Sequence, residues 1–173
     1  EVFWEIQEKL YALDYFESIE SNALPADDAR ASLIVEFTVK EKPTVAEIVL
    51  EGNRQLRKSE ILEKVLLKKG DMVTQAQVNI DADAIGSFYL EKGYTDAKVT
   101  GSLEPGKEGN TVNVKFVILE GIQTAIRAIS FSGNSFASES TLRKTMKTKK
   151  QSLFTSGLFQ ESKLEEDLQN IIQ

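Results

Sequence analysis

Cysteine and histidine are both absent from the 173 residues of this sequence. Without cysteine the chain has no disulfide framework and no thiolate metal site. Without histidine it lacks the hydrolase triads, most zinc sites and the commonest general base. We therefore expect no metal, no cofactor and no catalytic residue. The missing cysteine also suits an oxidising compartment, where a free thiol would be a liability.

Long hydrophobic runs and a basic surplus are missing as well. No stretch approaches the ~18 consecutive apolar residues that a membrane-spanning helix needs. The formal net charge of −6, from 21 basic and 27 acidic residues, argues against nucleic acid as a partner. No secretion signal begins the chain, and residue 1 falls inside a helical pattern. We therefore interpret the sequence as part of a longer protein whose membrane anchor lies elsewhere.

Two patterns imitate catalytic sites. Gly101–Glu108 nearly spells a phosphate-binding loop, but Glu108 replaces the Ser or Thr that would hold magnesium. The segment also lies between two predicted strands rather than before a helix, so we interpret it as a turn. Acidic residues on predicted helices, Glu60 with Glu63 and the run at 165–167, are interpreted as solvated faces. A carboxylate-based enzyme stays open as an alternative function.

A duplicated pattern organises the chain. A short apolar strand ends in Gly52-Asn53, and the same pattern recurs as Ile129–Asn134. A helical pattern follows each copy. Self-similarity at a period of about 80 residues indicates repeated structural modules rather than one undivided domain.

The complete module spans residues 44–123 and reads β-α-α-β-β. Its first helix is predicted to end at Gly70. Its second helix begins after Thr74, which starts a capping box, and ends at Gly93. Two strands follow, the first of them at Tyr94–Leu103. The apolar positions that we expect to share one core are Ile48, Leu50, Ile61, Val65, Val78, Ile85, Val112, Val114 and Phe116.

Incomplete copies flank this module. Residues 1–43 match its end, and residues 124–173 match its beginning. The first copy carries a helix that ends at Asp14, where Gly93 stands in the complete module. Linkers are nearly absent, so neighbouring modules should be stiffly joined. The predicted fold class is α+β, with tandem β-α-α-β-β units that each form a three-stranded mixed sheet with two helices packed on one face.

The predicted strand at Tyr94–Leu103 is the first candidate binding site. The β-α-α-β crossover should place the first strand of the module beside the last, which leaves this strand paired on one side only. Such an edge can bind an extended peptide by strand addition. A protected edge, helped by Lys98, is the alternative. The candidate partner-binding residues are Tyr94, Ala97, Lys98, Val99, Thr100 and Leu103.

A basic stretch is the second candidate binding site. Lys147, Lys149 and Lys150 precede an insertion that has Phe154 at its middle. Together these four residues offer positive charge and an aromatic ring to a partner. The alternative is a solvated helix end, where the helix dipole favours cations.

The repeated motifs resemble those of POTRA domains, the polypeptide-transport-associated modules of BamA-type outer-membrane assembly factors. The resemblance rests on the two Gly-Asn strand ends, the segment Tyr89–Tyr94, the exit Val39–Pro43, and residues 146–149 and 164–168 of the third copy. It covers nearly the whole chain. Asp14 departs from the family, which usually has glycine at that position.

This resemblance implies a non-enzymatic scaffold at the periplasmic face of the outer membrane, ahead of a C-terminal β-barrel outside these residues. The implied partners are unfolded outer-membrane proteins and accessory assembly lipoproteins. Two-partner secretion transporters and a cell-division protein carry similar units, but parts of three units favour the BamA type. An adhesive repeat that binds a folded partner is a further alternative.

Overall fold

The computed structural model describes residues 2–26 and 32–172, and within them the chain forms five helices and five strands. None of these helices is long and apolar enough to cross a bilayer. The elements in chain order are α1 (Val2–Ala12), β1 (Phe16–Pro25), β2 (Leu33–Glu41), β3 (Thr44–Glu51), α2 (Lys58–Leu62), α3 (Gln75–Glu91), β4 (Lys98–Pro105), β5 (Thr111–Leu119), α4 (Glu139–Thr145) and α5 (Glu161–Ile172).

The first segment is a helix beside a hairpin. β1 and β2 pair antiparallel, and α1 packs against β1. The Tyr11 hydroxyl on α1 accepts a hydrogen bond from the Ile19 amide on β1 (3.3 Å), which ties the two elements together. Asp14 has a φ of 59°, so it adopts the left-handed conformation that was expected where this helix ends.

A three-stranded mixed sheet forms the centre of the described chain, in the order β3-β5-β4. β3 runs parallel to β5, and β4 runs antiparallel to β5. Because parallel strands need a crossover connection, α2 and α3 lie between β3 and the rest of the sheet in sequence. The Thr74 side chain caps α3 as predicted, and Gly93 follows its end with a φ of 85°. The α+β class and the mixed sheet are confirmed.

One face of this sheet carries the hydrophobic core. On β5, Val114, Phe116 and Ile118 are buried in one cluster with Val78 and Ile85 of α3. Six of the nine residues predicted for the core belong to this cluster and the other three pack against it, which confirms that prediction. Those on β3 and at the start of β5 are partly buried at its rim. The sheet is therefore covered by helices on one side.

The repeated Gly-Asn pair makes the same turn in both copies. Gly52 has a φ of 91° and Gly133 a φ of 80°, a region that side chains strain to enter. A Cβ at Gly52 would also lie 2.1 Å from the Ile118 carbonyl oxygen. The side-chain amides of Asn53 and Asn134 each donate to the carbonyl oxygen three residues ahead, at 3.3 and 3.1 Å. The sequence repeat is therefore a repeated backbone conformation.

The first helix of the central module is shorter than its apolar pattern indicated. α2 ends at Leu62, so the prediction that it reaches Gly70 was wrong. The Asp81 carboxylate on α3 accepts hydrogen bonds from the backbone amides of Leu66 (2.9 Å) and Leu67 (3.0 Å). Amides that donate to this carboxylate are no longer available to helix carbonyls, and the chain leaves the helix here.

The last segment repeats α2 and α3 as α4 and α5. The predicted strand at Ile129–Phe131 is not formed, so that prediction was wrong. The equivalent strand β3 pairs with β5, and residues 32–172 hold no counterpart of β5 for this segment. Asp167 was predicted to be solvated but is fully buried. Its carboxylate accepts hydrogen bonds from the amides of Lys147 (2.5 Å) and Thr148 (2.8 Å), as the equivalent aspartate of α3 does.

Direct hydrogen bonds join the flanking segments to the central sheet. The Asn110 side chain donates to the carbonyl oxygens of Glu41 (3.1 Å) and Lys42 (3.2 Å). At the other junction the Thr124 amide donates to the Gly93 carbonyl oxygen (2.8 Å). These contacts leave little free chain between segments, which supports the expectation of stiff junctions.

Candidate functional site

Strand β4 is the open edge of the central sheet. It pairs with β5 on one side, and no strand in the described part of the chain pairs with its other side, as predicted. The opposite edge, β3, is partly covered. The Val45 amide donates to the Asp71 carbonyl oxygen (2.9 Å), and the Gly70 amide donates to the Val45 carbonyl oxygen (2.8 Å). β4 therefore presents the more open row of backbone groups.

The hydrogen-bond register shows which amides of β4 face outward. The Gly106 amide donates to the Thr111 carbonyl oxygen (2.8 Å), so these two residues form a hydrogen-bonded pair. Such pairs alternate along an antiparallel ladder, and the residues between them point their N–H and C=O groups away from the partner strand. Pro105 is in such an outward position, where a missing N–H is tolerated. The other outward residues are Val99, Gly101 and Leu103.

The start of helix α3 lies over this edge. The Gln75 side-chain amide donates to the outward carbonyl oxygen of Gly101 (2.9 Å). A Cβ at Gly101 would lie 2.5 Å from Cγ1 of Val78, so glycine is what allows the helix and the strand to approach this closely. A peptide strand added to this edge would contact both the backbone of β4 and the Gln75 side chain. Neither Gln75 nor Gly101 was predicted, although a glycine inside a strand pattern is a signal for close approach.

The predicted edge residues within β4 alternate in direction. Lys98 and Thr100 are exposed, whereas Val99 and Leu103 are half-buried and pack against the core. Val99 and Leu103 therefore turn their side chains inward while their amides face outward. Any recognition by these two positions would use the backbone rather than the side chain.

Two predicted edge residues lie outside the strand. β4 begins at Lys98 rather than at Tyr94, so Tyr94 and Ala97 precede it. Tyr94 is only 6% exposed, and its ring packs edge-on against Tyr89 with the ring centroids 5.6 Å apart. Its side chain is part of the core. The usable edge is therefore Lys98–Pro105.

A buried polar network around Glu120 holds the end of β5 in place. Glu120 accepts hydrogen bonds from the amides of Arg54 (2.9 Å) and Gln55 (2.9 Å) and from the Tyr89 hydroxyl (2.8 Å). Burial alone would raise the pKa of Glu120, but these hydrogen bonds outweigh it and hold the pKa below its ordinary value of 4.5. Burial and the Glu120 carboxylate raise the pKa of the Tyr89 hydroxyl, which stays a donor. In residues 2–26 and 32–172 no group of three acidic side chains is placed to hold a metal ion.

The Glu120 network should make the central module sensitive to acid. Because the pKa of Glu120 is lower in the folded state, its ionised form stabilises the fold above its ordinary pKa of 4.5, and that contribution is lost as the pH falls through the folded-state pKa. We expect the stability difference between the wild type and Glu120→Gln to shrink between pH ~6 and pH ~3. Urea unfolding at each pH measures it. A difference that stays constant with pH would contradict an ionised Glu120.

The basic stretch lies between α4 and α5. Lys147 forms an ion pair with Glu166, and the ammonium of Lys149 donates to a backbone carbonyl oxygen (2.7 Å). Lys150 is exposed and has no ion pair with the rest of residues 2–26 and 32–172. Phe154 is 96% exposed. Lys147, Lys149 and Phe154 line one cleft, so the structure brings these predicted residues together.

Two parts of the chain match a known protein family. The sequence model of the POTRA family, described as a surface antigen variable number repeat, matches residues 43–121 and 124–173. The chain belongs to the POTRA family. The first match contains the sheet of β3, β5 and β4 with its two helices, and the second contains α4 and α5. The edge of β4 and the basic stretch therefore each lie within a POTRA match.

Curated relatives share this sequence over most of its length. A Treponema pallidum (strain Nichols) protein named as a candidate outer membrane protein assembly factor is 39% identical over 96% of this chain. The outer membrane protein assembly factor BamA of Neisseria meningitidis serogroup B is 25% identical over 96% of it. This chain spans 20% and 21% of those proteins, about a fifth of the length of each.

Solved structures share the fold. POTRA domains 3–5 of BamA from Haemophilus influenzae cover 91% of this chain with a TM-score of 0.53 and 18% identity, and the match takes in 60% of that chain. BamA of Haemophilus ducreyi lacking POTRA domains 1–3 covers 72% of this chain with a TM-score of 0.55 and 23% identity, over 23% of its own length. At these identities the likeness establishes the architecture.

Proposed function

We propose that this POTRA chain is a periplasmic scaffold of an outer-membrane protein assembly machinery, and that it binds unfolded outer-membrane proteins by strand addition to β4. The names of its relatives support the assembly role. The observation that supports the binding mode is the open edge, with outward amides at Val99, Gly101 and Leu103. Backbone groups recognise any extended segment, so this edge would accept many client sequences. The proposed role needs no catalytic residue.

A single edge should hold a client weakly. Three outward N–H groups and the neighbouring carbonyls would form a few hydrogen bonds, each worth a net ~0.5–1.5 kcal/mol. Ordering an extended peptide opposes this gain. We therefore expect a dissociation constant near 1 mM for one unit, which corresponds to roughly 4 kcal/mol. Several units that act on one client would retain it longer, and weak single sites would let it move on.

The rest of the chain fits the same role. We assign residues 1–43, 44–123 and 124–173 to three successive POTRA units at the periplasmic face of the outer membrane, with a membrane barrel outside this chain. Accessory assembly lipoproteins are further proposed partners of this chain.

Substituting proline at Val99 should weaken client binding while the sheet persists. The Val99 amide faces outward, so proline removes a hydrogen-bond donor from the edge without breaking the β4–β5 ladder. We expect the affinity for a peptide from an outer-membrane barrel strand to fall at least about tenfold, the effect of losing one to two hydrogen bonds. Titration of the peptide, followed by the amide NMR signals of β4, measures this change.

Two variants control this experiment. Val99→Ala also loses the packing of the valine side chain but keeps the amide, so it should bind the peptide like the wild type. Thr100→Pro removes an amide that faces β5, and it should disrupt the sheet itself. If folded Val99→Pro protein binds the peptide with unchanged affinity, the edge of β4 is not the client site and the basic stretch becomes the better candidate.

A further inference from the structure

The loop between α4 and α5 carries two apolar side chains that the fold does not use. Leu153 and Phe154 are each 96% exposed. They are the central residues of a turn, in which the Ser152 amide donates to the Thr155 carbonyl oxygen (3.0 Å) and the two hydroxyls lie 2.7 Å apart. Turn tips commonly carry Gly, Asn, Asp or Pro. A large apolar pair at such a tip contributes nothing to the core and is a candidate contact surface.

The loop is held in shape at its base. The Gln151 amide donates to the Ile126 carbonyl oxygen, and the Ile126 amide donates to the Gly157 carbonyl oxygen, both at 2.7 Å. Gly157 has a φ of 60°, and a Cβ there would lie 2.2 Å from the Gln151 nitrogen, so the two ends of the loop are in close contact. The Thr155 hydroxyl donates to the Lys150 carbonyl oxygen (2.8 Å). A preformed loop loses little conformational freedom on binding.

The central POTRA unit lacks this tip. Its equivalent segment is the turn after Leu67, where Lys68 and Lys69 stand in the positions of Lys149 and Lys150. The inserted residues add Leu153-Phe154 to a pair of lysines that both units have. The two loops therefore compare one shared pair of lysines with and without an apolar tip.

Lysines surround the tip. Lys149 and Lys150 precede it in sequence, and Lys147 and Lys163 line the same cleft as Phe154. All four lysines are exposed. The chain as a whole carries a net charge of −6, so this end differs in sign from the rest of the molecule.

The acidic residues of α5 offset only part of this charge, since Glu166 pairs with Lys147 and the buried Asp167 carboxylate attracts Lys149, which leaves Lys150 and Lys163. Glu161 and Glu165 line a separate cleft against α3. Lys163 is two residues from each, which is about 200° around a helix, so it faces the other way. Glu166 pairs with Lys147, and these four lysines make no other ion pair within residues 2–26 and 32–172.

We propose that this loop, residues 149–156, binds an anionic membrane surface. Leu153 and Phe154 would enter the boundary between headgroups and acyl chains, while Lys149, Lys150 and Lys163 stay at the level of the lipid phosphates. Paired apolar and basic side chains are what binding to anionic lipid requires. The two tip side chains are almost fully exposed, which suits a deformable lipid surface that needs no matching pocket.

Vesicle flotation tests the proposal with phosphatidylcholine vesicles that contain or lack phosphatidylglycerol. We expect binding to the anionic vesicles only, and less of it as salt is raised. The double variant Leu153→Ser/Phe154→Ser should lower the partition coefficient at least about tenfold. Phe136→Ser removes an aromatic side chain that is 103% exposed but lies outside the lysine cluster, and it should change nothing.

Charge variants give a second, matched comparison. Lys150→Gln should lower partitioning to anionic vesicles about fivefold, since one lysine near such a surface contributes on that scale. Lys69→Gln changes the equivalent residue of the central unit, where no apolar tip exists, and should leave partitioning unchanged. Equal effects of the two lysine variants would overturn the proposal, because they would show general electrostatic adsorption.

A fluorescent reporter tests insertion directly. Trp4 is the single tryptophan, so a Trp4→Phe/Phe154→Trp variant reports on the tip alone. Its emission should shift to the blue with anionic vesicles and stay unshifted in buffer. An unshifted spectrum on vesicles, or a shift with an acidic peptide and none with vesicles, would overturn the proposal, the latter in favour of a protein partner. Circular dichroism verifies that the variants stay folded.

Discussion

Replacing Phe116 with alanine should destabilise the central POTRA unit by about 3–5 kcal/mol. Phe116 is 0% exposed in the middle of β5, and it shares its cluster with Val78 and Ile85 of α3. Truncation removes the transfer free energy of the ring and leaves a cavity between sheet and helix. Because α3 already packs closely on β4 at Val78 and Gly101, the helix has little room to move and fill that cavity. Small domains have about 5–15 kcal/mol of stability, so the loss is severe.

Urea unfolding, followed by the amide signals of β3, β5 and β4, measures this loss as a lower midpoint with an unchanged slope. Leu119→Ala is the matched control, because Leu119 lies on the same strand and is 64% exposed. It should change the free energy of unfolding by less than about 0.5 kcal/mol. If Phe116→Ala unfolds at the midpoint of the wild type, the apolar alternation of β5 was assigned to the wrong face.

Structural features that depend only on residues close in sequence could be predicted from the sequence. The capping box at Thr74, the left-handed Asp14 and the turn after Gly52 each depend on neighbours within one helical turn or less. The alternation of β5 placed Phe116 in the core for the same reason, since side chains alternate along any strand. The order of the strands then followed from the crossover, and it made β4 an edge.

Contacts between residues that are far apart in the sequence could not be predicted from local patterns. The pattern of apolar residues continues through Leu66, but the Asp81 carboxylate, which is far along the chain, takes up the amides there. Tyr94 looked like the start of a strand because it is aromatic and follows a helix. Its burial against Tyr89 depends on tertiary packing. The hydrogen bond between Gln75 and Gly101 joins residues 26 positions apart, so the glycine could signal a close approach at the candidate edge, but no local pattern could identify Gln75 as its partner.

Replacing Asp81 with alanine should cost the central unit about 2–4 kcal/mol. The Asp81 carboxylate is 1% exposed and satisfies two backbone amides, those of Leu66 and Leu67. Alanine would leave both amides without a partner, at about 1–3 kcal/mol for each buried group. Leu67 is buried, so its unpaired amide would carry the full desolvation cost. Leu66 is 76% exposed, so its amide can form a hydrogen bond with water instead. The expected loss of stability is therefore smaller than the cost of two fully buried unpaired amides at about 3 kcal/mol each.

Asp83→Ala is the matched control for this prediction, because Asp83 lies on the same helix and is exposed. It should change the free energy of unfolding by less than about 0.5 kcal/mol. Hydrogen exchange separates a local effect from a global one: the amides of Leu66 and Leu67 should exchange faster in Asp81→Ala than global unfolding explains. Asp167 makes the same two bonds in the next POTRA unit, so Asp167→Ala should expose the amides of Lys147 and Thr148 in the same way. Protection of these amides that survives both substitutions would show that the aspartates do not hold the segment after the first helix of each unit.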